Sequence, residues 1–362
     1  MKKIIAILTS LVLLAVSASA ETTKATTNQF ELSLSKETLS FLSAHNVDLE
    51  SLSVNAQTRA SFSENCLSIS EYYESAIKSI QKEAEVYGFT SKQIENYINA
   101  TLSSTPKILR SKADAEKEAL EDKASPLDYY ADNKPKEDGI GWEVKSLPQF
   151  SHATTFVTLP TVQNKTSNAA PYLFYTVANP NESWGIDLGV GYEYGDTGLK
   201  WRGFHKTTGN KLQYDKNAEI MSNNLYFKAF LYPEDHEYYG YLNFTVCDGD
   251  DIDTIYFNYL YYVADHNIYP INGTFIKQVT LCDNLKQYNC GMKILNAQFS
   301  QSYLYSTPNN TNSLMLPSNC EDGETANEPN RCGKFGTNSN NAEQVTQNSS
   351  TKWHTENISI SF

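Results

Sequence analysis

Beyond its first twenty residues, the 362-residue chain has no apolar run approaching the roughly 18 residues that a membrane-spanning helix needs. We therefore expect no membrane span in the rest of the chain. Basic residues are also scarce, with 29 Lys and Arg against 42 Asp and Glu and a net charge of −13. Nucleic acid and anionic lipid are bound by clustered Lys and Arg, so the composition argues against both as partners.

The sequence also lacks the short motifs that identify a reaction. It has no Cys-x-x-Cys, which disfavours thiol redox catalysis and zinc knuckles, and no Gly-x-Ser-x-Gly nucleophile elbow. The six histidines are scattered and define no catalytic triad. We therefore expect a binding role rather than catalysis.

What the chain does have, at its start, is the three-part pattern of a secretory signal peptide. Lys2 and Lys3 precede an apolar run that ends in Ser-Ala-Ser-Ala. The pattern predicts cleavage near Ala20 and a mature protein in the periplasm or the extracellular space.

The cysteines all follow the predicted signal peptide, and an even number of them in an exported chain is typical of disulfide bonds. Cys282 with Cys290, and Cys320 with Cys332, each enclose a short polar loop that a bridge could close. By elimination, the two remaining cysteines would join the two halves of the protein. The six residues are Cys66, Cys247, Cys282, Cys290, Cys320 and Cys332.

The hydrophobic period changes after the first third of the chain, which predicts two structural parts. Residues 69–84 carry apolar side chains at three- and four-residue steps, and the pattern stops at Gly88, a favoured residue after a helix. Thr90 and Gln93 then form a capping-box pattern at the start of another helix. These signals predict a small N-terminal helical domain.

The later part has the character of an all-β domain. Eighteen of the 24 tyrosines lie between Tyr172 and Tyr305, in runs of aromatic and β-branched residues separated by Gly, Asn, Pro and Asp. Eleven such runs with no intervening helix predict an antiparallel, jelly-roll-like β-sandwich of two sheets, so the chain is α+β in two parts. The predicted segments are a signal peptide (1–20), a helical domain (21–130), a linker (131–138) and a β-sandwich domain (139–362) with a long Asn- and Ser-rich loop (306–350).

The stretch WGIDLGVGYEYGDTGLKWRGFHK, residues 184–206, predicts a β-hairpin with two unlike faces. Side chains alternate along a strand, so one face is large and apolar while the other carries glycines and acids. Closing the turn places aromatic against aromatic and acid against base. The predicted pairs are Tyr194 with Leu199, Glu193 with Lys200, Tyr192 with Trp201 and Gly191 with Arg202.

The glycine-bearing face needs an explanation, because glycine weakens the interior of a strand. It could be a solvent-facing outer surface, a floor covered by the helical domain, or the floor of a ligand groove. In the third case the ligand-binding residues would be Asp187, Gly189, Gly191, Glu193, Lys200, Arg202 and Phe204.

This hairpin and the strand pattern over about residues 139–305 resemble the jelly-roll sandwiches of the concanavalin-A-like lectin and glucanase group. The resemblance implies a concave sheet that binds glycans between charged and aromatic side chains. The chain departs from the glucanases of that group, whose acids are closely spaced on one strand. Asp187 and Glu193 are six residues apart, or about 20 Å, whereas paired glycosidase carboxylates lie about 5 to 10 Å apart. A hydrolase would need a partner acid such as Glu143 from another strand.

The acidic run CDGDDID offers hard oxygen ligands of the kind that calcium prefers. Because it does not follow the EF-hand spacing, we favour a solvated acidic turn, with a structural calcium ion as the alternative. The four carboxylates belong to Asp248, Asp250, Asp251 and Asp253.

The sequence thus leaves two main functions. The first is a secreted module that binds glycan through the glycine-lined face, and the second is a secreted glycan hydrolase with acids from separate strands. A structural envelope protein with only protein partners is a third.

Overall fold

A computed structural model describes the chain in segments, and the predicted signal peptide and linker lie outside them. The described residues are 23–27, 30–52, 69–114, 117, 139–178, 185–195, 198–207, 211–233, 240–263, 273–283, 289–306, 311–320, 332–335, 344–351 and 353–362.

The helices and strands below are numbered in chain order. They are β1 (Thr23–Thr27), β2 (Phe30–Leu34), α1 (Lys36–Ala44), α2 (Ile69–Tyr87), α3 (Ser91–Ser103), β3 (Lys107–Arg110), β4 (Gly139–Lys145), β5 (His152–Thr158), β6 (Thr161–Gln163), β7 (Ala169–Ala178), β8 (Gly185–Gly195), β9 (Gly198–Thr207), β10 (Gln213–Glu219), β11 (Asn224–Pro233), β12 (Gly240–Asp248), β13 (Ile255–Val263), β14 (Thr274–Asp283), β15 (Lys293–Ser306), β16 (Thr311–Leu314), β17 (Gly333–Phe335), β18 (Val345–Thr351) and β19 (Thr355–Ser361).

Two large sheets form the body of the molecule. The seven-stranded sheet has the order β10-β9-β8-β7-β14-β4-β17. The ten-stranded sheet has the order β18-β19-β15-β5-β11-β12-β13-β3, with β6 and β16 also paired to β15. Pairing is antiparallel except between β13 and β3, and β1 and β2 form a separate two-stranded sheet. The predicted two-sheet β-sandwich is confirmed.

The core between the sheets is made by alternate residues of the facing strands. On β4 of the seven-stranded sheet, Trp142 and Val144 are fully buried, and on β11 of the ten-stranded sheet Phe227 and Ala229 are fully buried in the same cluster. This period-two burial is the property from which the strands were predicted.

The helices form a layer on the outer face of the ten-stranded sheet. Tyr73 and Ile77 of α2 are buried in one cluster with Tyr226, Tyr241 and Leu260 of the sheet. The described part of the predicted helical domain therefore shares a core with the sandwich, and it also contains the strands β1, β2 and β3. A shared core forms because the apolar stripe of α2 is matched by an outer sheet face rich in tyrosine.

Local helix signals predicted the helix ends correctly. Gly88 follows α2 with a φ of 67°, the left-handed conformation that glycine adopts without strain. Thr90 caps α3, and Gln93 completes the capping box. Among the described residues, no helix is both long and apolar enough to cross a membrane.

The predicted long loop at 306–350 is partly wrong. Strands β16 and β17 lie within it, and β18 overlaps its end. β16 pairs with β15, β17 pairs with β4 and β18 pairs with β19, each antiparallel. Asn- and Ser-rich strands at a sheet edge lack the apolar alternation that signals a strand.

The two predicted local disulfide bridges are not formed, because all five described cysteines are thiols. Cys282 lies near Tyr172 on the seven-stranded sheet, whereas Cys290 packs against the core between the sheets. The thiols of Cys320 and Cys332 are engaged by their own neighbours, donating to Asn319 Oδ1 and the Lys145 carbonyl at 3.6 Å each.

The third predicted bridge joins Cys247 to Cys66. Cys247 is a fully buried thiol between the ten-stranded sheet and the helices, and burial raises its pKa. Cys66 lies outside the described residues.

Candidate functional site: a cleft at the end of the sandwich

The hairpin formed by β8 and β9 has the predicted register. Tyr192 pairs with Trp201, Glu193 with Lys200 and Gly191 with Arg202. The predicted turn residues, 196 and 197, lie outside the described residues. The hairpin therefore presents the two faces that the sequence indicated.

The glycine face is covered by aromatic rings from neighbouring strands. An added Cβ at Gly191 would lie 2.9 Å from the ring of Tyr172, and one at Gly189 would lie 2.6 Å from the Cα of Phe174. Phe204, predicted as a ligand contact, is only 1% exposed and packs edge-to-face against both rings at 5.2 and 5.7 Å. The Tyr172 ring explains the glycine at position 191, and the close approach of β7 at Leu173 and Phe174 explains the glycine at position 189, because neither position has room for a side chain.

The charged residues of the same face are engaged within the sheet. Asp187 accepts a 2.6 Å hydrogen bond from Thr176 Oγ1 on β7, and burial raises the pKa of its carboxyl. Arg202 is 5% exposed and donates to the carbonyl of Lys216 at 3.2 Å. Glu193 accepts from the backbone N–H of Tyr194.

The acids weighed for a hydrolase lie on strands that are not neighbours. Glu143 lies on β4 and Asp187 on β8, with β14 and β7 between them in the sheet. Three strand spacings separate their backbones by about 14 Å, and the Asp187 carboxyl is already engaged by Thr176.

The acidic run forms the connection between β12 and β13, and its carboxylates accept hydrogen bonds from nearby residues. Asp248 accepts from Tyr256 at 2.9 Å, Asp250 from Asn224 Nδ2 at 3.2 Å, and Asp251 from Thr254 at 3.0 Å. Among the described residues, no group of three or more His, Cys, Asp or Glu is placed to hold a metal ion. The calcium site stays a prediction.

The opposite, apolar face of the β8–β9 hairpin forms one wall of a cleft. The cleft has a volume of about 420 Å³ and lies where the β8–β9 hairpin meets the start of β6 and the connection between β10 and β11. Its lining residues are Leu159, Pro160, Thr161, Val162, Tyr192, Leu199, Lys200, Trp201, Ile220, Met221 and Asn223.

The cleft exists because the hairpin extends past the end of the core. Along the apolar face of β8, Ile186 and Val190 are fully buried, Tyr192 is half-buried and Tyr194 is 57% exposed. Met221, on the opposite wall, is 77% exposed. Large apolar side chains left open to solvent in this way are typical of ligand or partner sites.

Backbone hydrogen bonds fix the walls of the cleft. Ile220 N donates to the Trp201 carbonyl at 3.0 Å, and Leu159 N donates to the Asn223 carbonyl at 2.8 Å. The rings of Tyr192 and Trp201 lie 5.2 Å apart with a 42° tilt. The aromatic wall is therefore held in place before any ligand arrives.

Polar groups accompany this aromatic wall. Lys200 lines the cleft and forms an ion pair with Glu219, which Arg202 also approaches at 3.7 Å. Thr161 and Asn223 are exposed and add a hydroxyl and an amide. An apolar wall with a few polar groups is the usual composition of a small-molecule site.

Of the residues predicted to bind a ligand, only Lys200 lines the cleft. The sequence pointed to the right hairpin but to the other face for this cavity. The assignment of Tyr192 and Trp201 to the core face holds, since Trp201 belongs to the core cluster and Tyr192 packs against it, but both residues also line the cleft. The signal that could have found the cleft is their position near the hairpin's turn, where inward-facing residues lie at the end of the core.

No family model and no curated protein sequence matches the chain. The solved structures that match include scytalido-glutamic peptidase with a transition-state analogue inhibitor, at 8% identity and a TM-score of 0.38, covering 62% of this chain and 98% of that one. A second structure of that peptidase, with a peptide-based transition-state analogue, has 7% identity and a TM-score of 0.37, covering 62% of this chain and 99% of that chain. SCP-B, a member of the Eqolisin family of peptidases, in a complex with the tripeptide Ala-Ile-His, has 8% identity and a TM-score of 0.31, covering 62% and 98%. These structures are similar to the chain at the level of the β-sandwich.

Proposed function

We propose that this chain is a secreted carbohydrate-binding protein and that the cleft at the end of its sandwich holds one or two sugar units. The observation that carries the proposal is the aromatic pair formed by half-buried Tyr192 and by Trp201, which is 8% exposed. Both line a cleft of about 420 Å³ beside Lys200. Aromatic rings offer a flat apolar surface to a sugar ring, and the polar rim offers partners for its hydroxyls.

Secretion and glycan binding are parts of the same proposal. The signal-peptide pattern supports export, and the resemblance of the hairpin region to concanavalin-A-like sandwiches supports a sugar ligand. The ligand face differs from the one the resemblance implies, because aromatic rings already cover the glycines.

Binding without hydrolysis is favoured over the hydrolase alternative. A glycosidase of the common two-carboxylate type needs acids about 5 to 10 Å apart. Neither Glu143 nor Asp187 lines the cleft, and no other carboxylate is among the described residues that do. A ligand held there meets an aromatic wall and a cation.

A matched pair of variants tests the site. Thr161 and Gln163 are both exposed and lie on the same face of the short strand β6, but only Thr161 lines the cleft. Thr161→Trp should fill the cavity and abolish binding to the polysaccharide fragments that the unmodified protein selects on a glycan array. Gln163→Trp should bind them normally with the same melting temperature.

The same array also separates the functions. Binding without the release of reducing ends supports the proposal, whereas release of reducing ends would favour the hydrolase. Equal glycan binding by Thr161→Trp and Gln163→Trp would refute the cleft, and no glycan binding by the unmodified protein would refute the proposed function.

A further inference from the structure

A cluster of buried ionisable residues lies between α2 and the outer face of the ten-stranded sheet, and none of its members lines the cleft. Glu83 on α2 and Lys228 on β11 have side chains 0% and 2% exposed, and Lys228 Nζ lies 2.7 Å from Glu83 Oε1. The other carboxylate oxygen, Oε2, accepts hydrogen bonds from the hydroxyls of Tyr226 at 2.9 Å and Tyr97 at 3.1 Å.

An ion pair accounts for the lysine and the carboxylate but not for His152 beside them. Its Nε2 lies 3.7 Å from Glu83 Oε1, beyond hydrogen-bond distance, and the buried atom has no hydrogen-bond partner among the described residues. Burial and the nearby charge of Lys228 hold the pKa of His152 well below its usual value. The ring is therefore held neutral, with its Nε2 near the carboxyl group.

We propose that Lys228 and Glu83 condense to an isopeptide bond that joins α2 to β11. The ammonium group of Lys228 first gives one proton to Glu83 Oε1, 2.7 Å away, which frees the lone pair of Nζ. Nζ then attacks Glu83 Cδ, the Nζ–Cδ bond forms and the Cδ–Oε1 bond breaks. A second proton from Nζ goes to Oε1, which departs as water, and the third stays on the amide nitrogen. No oxidant, reductant or cofactor is consumed, and charge is conserved because one cation and one anion become a neutral amide.

The surrounding residues suit each stage of this step. The two tyrosine hydroxyls converge on Oε2, where negative charge develops as the carbon becomes tetrahedral, and fixed donors at such a position lower the barrier. His152 is placed to carry a proton from Nζ to Oε1. The fold holds nucleophile and carboxyl in contact, which replaces a bimolecular encounter, and the dry site favours loss of water and of paired charge.

Peptide mass spectrometry of the reduced full-length protein tests the proposal. Trypsin should release a branched product in which peptide 83–92 is joined to peptide 217–277, because the modified Lys228 is no longer cleaved. The mass of this product should be about 18 Da, one water, below the sum of its parts. Recovery of the separate peptides 83–92 and 217–228, with no branched product, would overturn the proposal.

Variants assign the bond to this pair. Glu83→Ala should abolish the branched peptide, whereas Glu85→Ala, on the same helix and away from the cluster, should retain it. Glu83→Gln should give the same product by releasing ammonia instead of water. His152→Phe should slow the appearance of the product in freshly folded protein, and an unchanged rate would contradict the proton-transfer role of His152.

The presence or absence of the branched peptide in the unmodified protein tests the proposed bond even if a variant fails to fold. A loss of water that maps to another lysine, such as the buried Lys277, would also overturn the assignment. The bond is independent of the sugar cleft, so glycan binding and cross-linking succeed or fail separately.

Discussion

Lys277 shows how one residue can depart from the pattern of its strand. It lies on β14 with its side chain between the two sheets, fully buried, and donates to Ser302 Oγ at 2.7 Å and to the Trp353 carbonyl at 2.5 Å. Its ammonium group also lies over the rings of Trp142 and Phe299. Burial lowers its pKa to about 7. The sequence could not predict this, because a lysine within a strand ordinarily marks the solvent side.

This lysine should make stability depend on pH in a defined direction. Its pKa is about 7 in the folded protein and about 10.4 in an unfolded chain. Between these values the unfolded state binds more protons, so the free energy of unfolding should rise with pH. Urea denaturation at pH 7 and pH 9.5 should show this rise in the unmodified protein and a much smaller one in Lys277→Met. Lys293→Met, at an exposed position, should keep the full rise, and equal behaviour of both variants would contradict the account.

Gly189 is a second residue whose role depends on its neighbours. A side chain there would press on Leu173 and Phe174, so Gly189→Val should lower the free energy of unfolding by about 1–3 kcal/mol, the usual cost of overpacking. Lys206→Val, on the neighbouring strand and exposed, should change it by less than about 0.5 kcal/mol. Denaturation midpoints provide the comparison, and a Gly189→Val variant as stable as the unmodified protein would show that β7 leaves room for a side chain at this position.

At the scale of helices and strands, sequence patterns predicted the features that depend on residues close together in the chain. The capping box of α3, the glycine after α2 and the register of the β8–β9 hairpin all follow from residues close in sequence. The docking of α2 on the ten-stranded sheet depends on contacts with strands more than a hundred residues away, which periodicity does not encode. For the same reason, the sequence of β8 alone could not predict that aromatic rings from β7 and β10 cover Gly191.

The cap of α3 allows a direct test at this scale. Thr90→Ala removes the side-chain oxygen that accepts from Gln93 N at 3.3 Å, and we expect a loss of about 0.5–2 kcal/mol in the free energy of unfolding. Thr90→Ser retains the hydroxyl and should lose far less. Thermal denaturation followed by circular dichroism would measure both, and equal losses would show that the cap contributes little.

At the scale of the whole molecule, composition and strand pattern predicted the sandwich. Residues that face the core alternate with residues that face outward along a strand, and this alternation is visible in the sequence. Each of the eleven predicted strands has a counterpart in the structure, from β4 to β19. The strands β6, β10, β16, β17 and β18 were missed, since an edge needs little apolar alternation, and so were β1, β2 and β3 within the predicted helical domain. The cleft was missed because it depends on where the hairpin ends relative to the core.

Export depends on the predicted signal peptide, residues 1–20, which lies outside the described residues. If the first twenty residues are a signal peptide, expression in a secreting host should yield protein whose N-terminal sequence begins at Glu21. Edman sequencing of the purified protein would check this. Mature protein that still begins at Met1 would contradict export through this segment.

The central claim is that ligand binds in the cleft, against Trp201. Trp142, Trp201 and Trp353 all belong to the core between the sheets, but of these three only Trp201, at 8% exposure, also lines the cavity. Titration of ¹⁵N-labelled protein with a glycan selected on the array, followed by NMR of the tryptophan indole N–H signals, tests this directly. The account predicts a saturable shift of the Trp201 signal with little change at Trp142 and Trp353. A saturating glycan that leaves the Trp201 signal unmoved would contradict it.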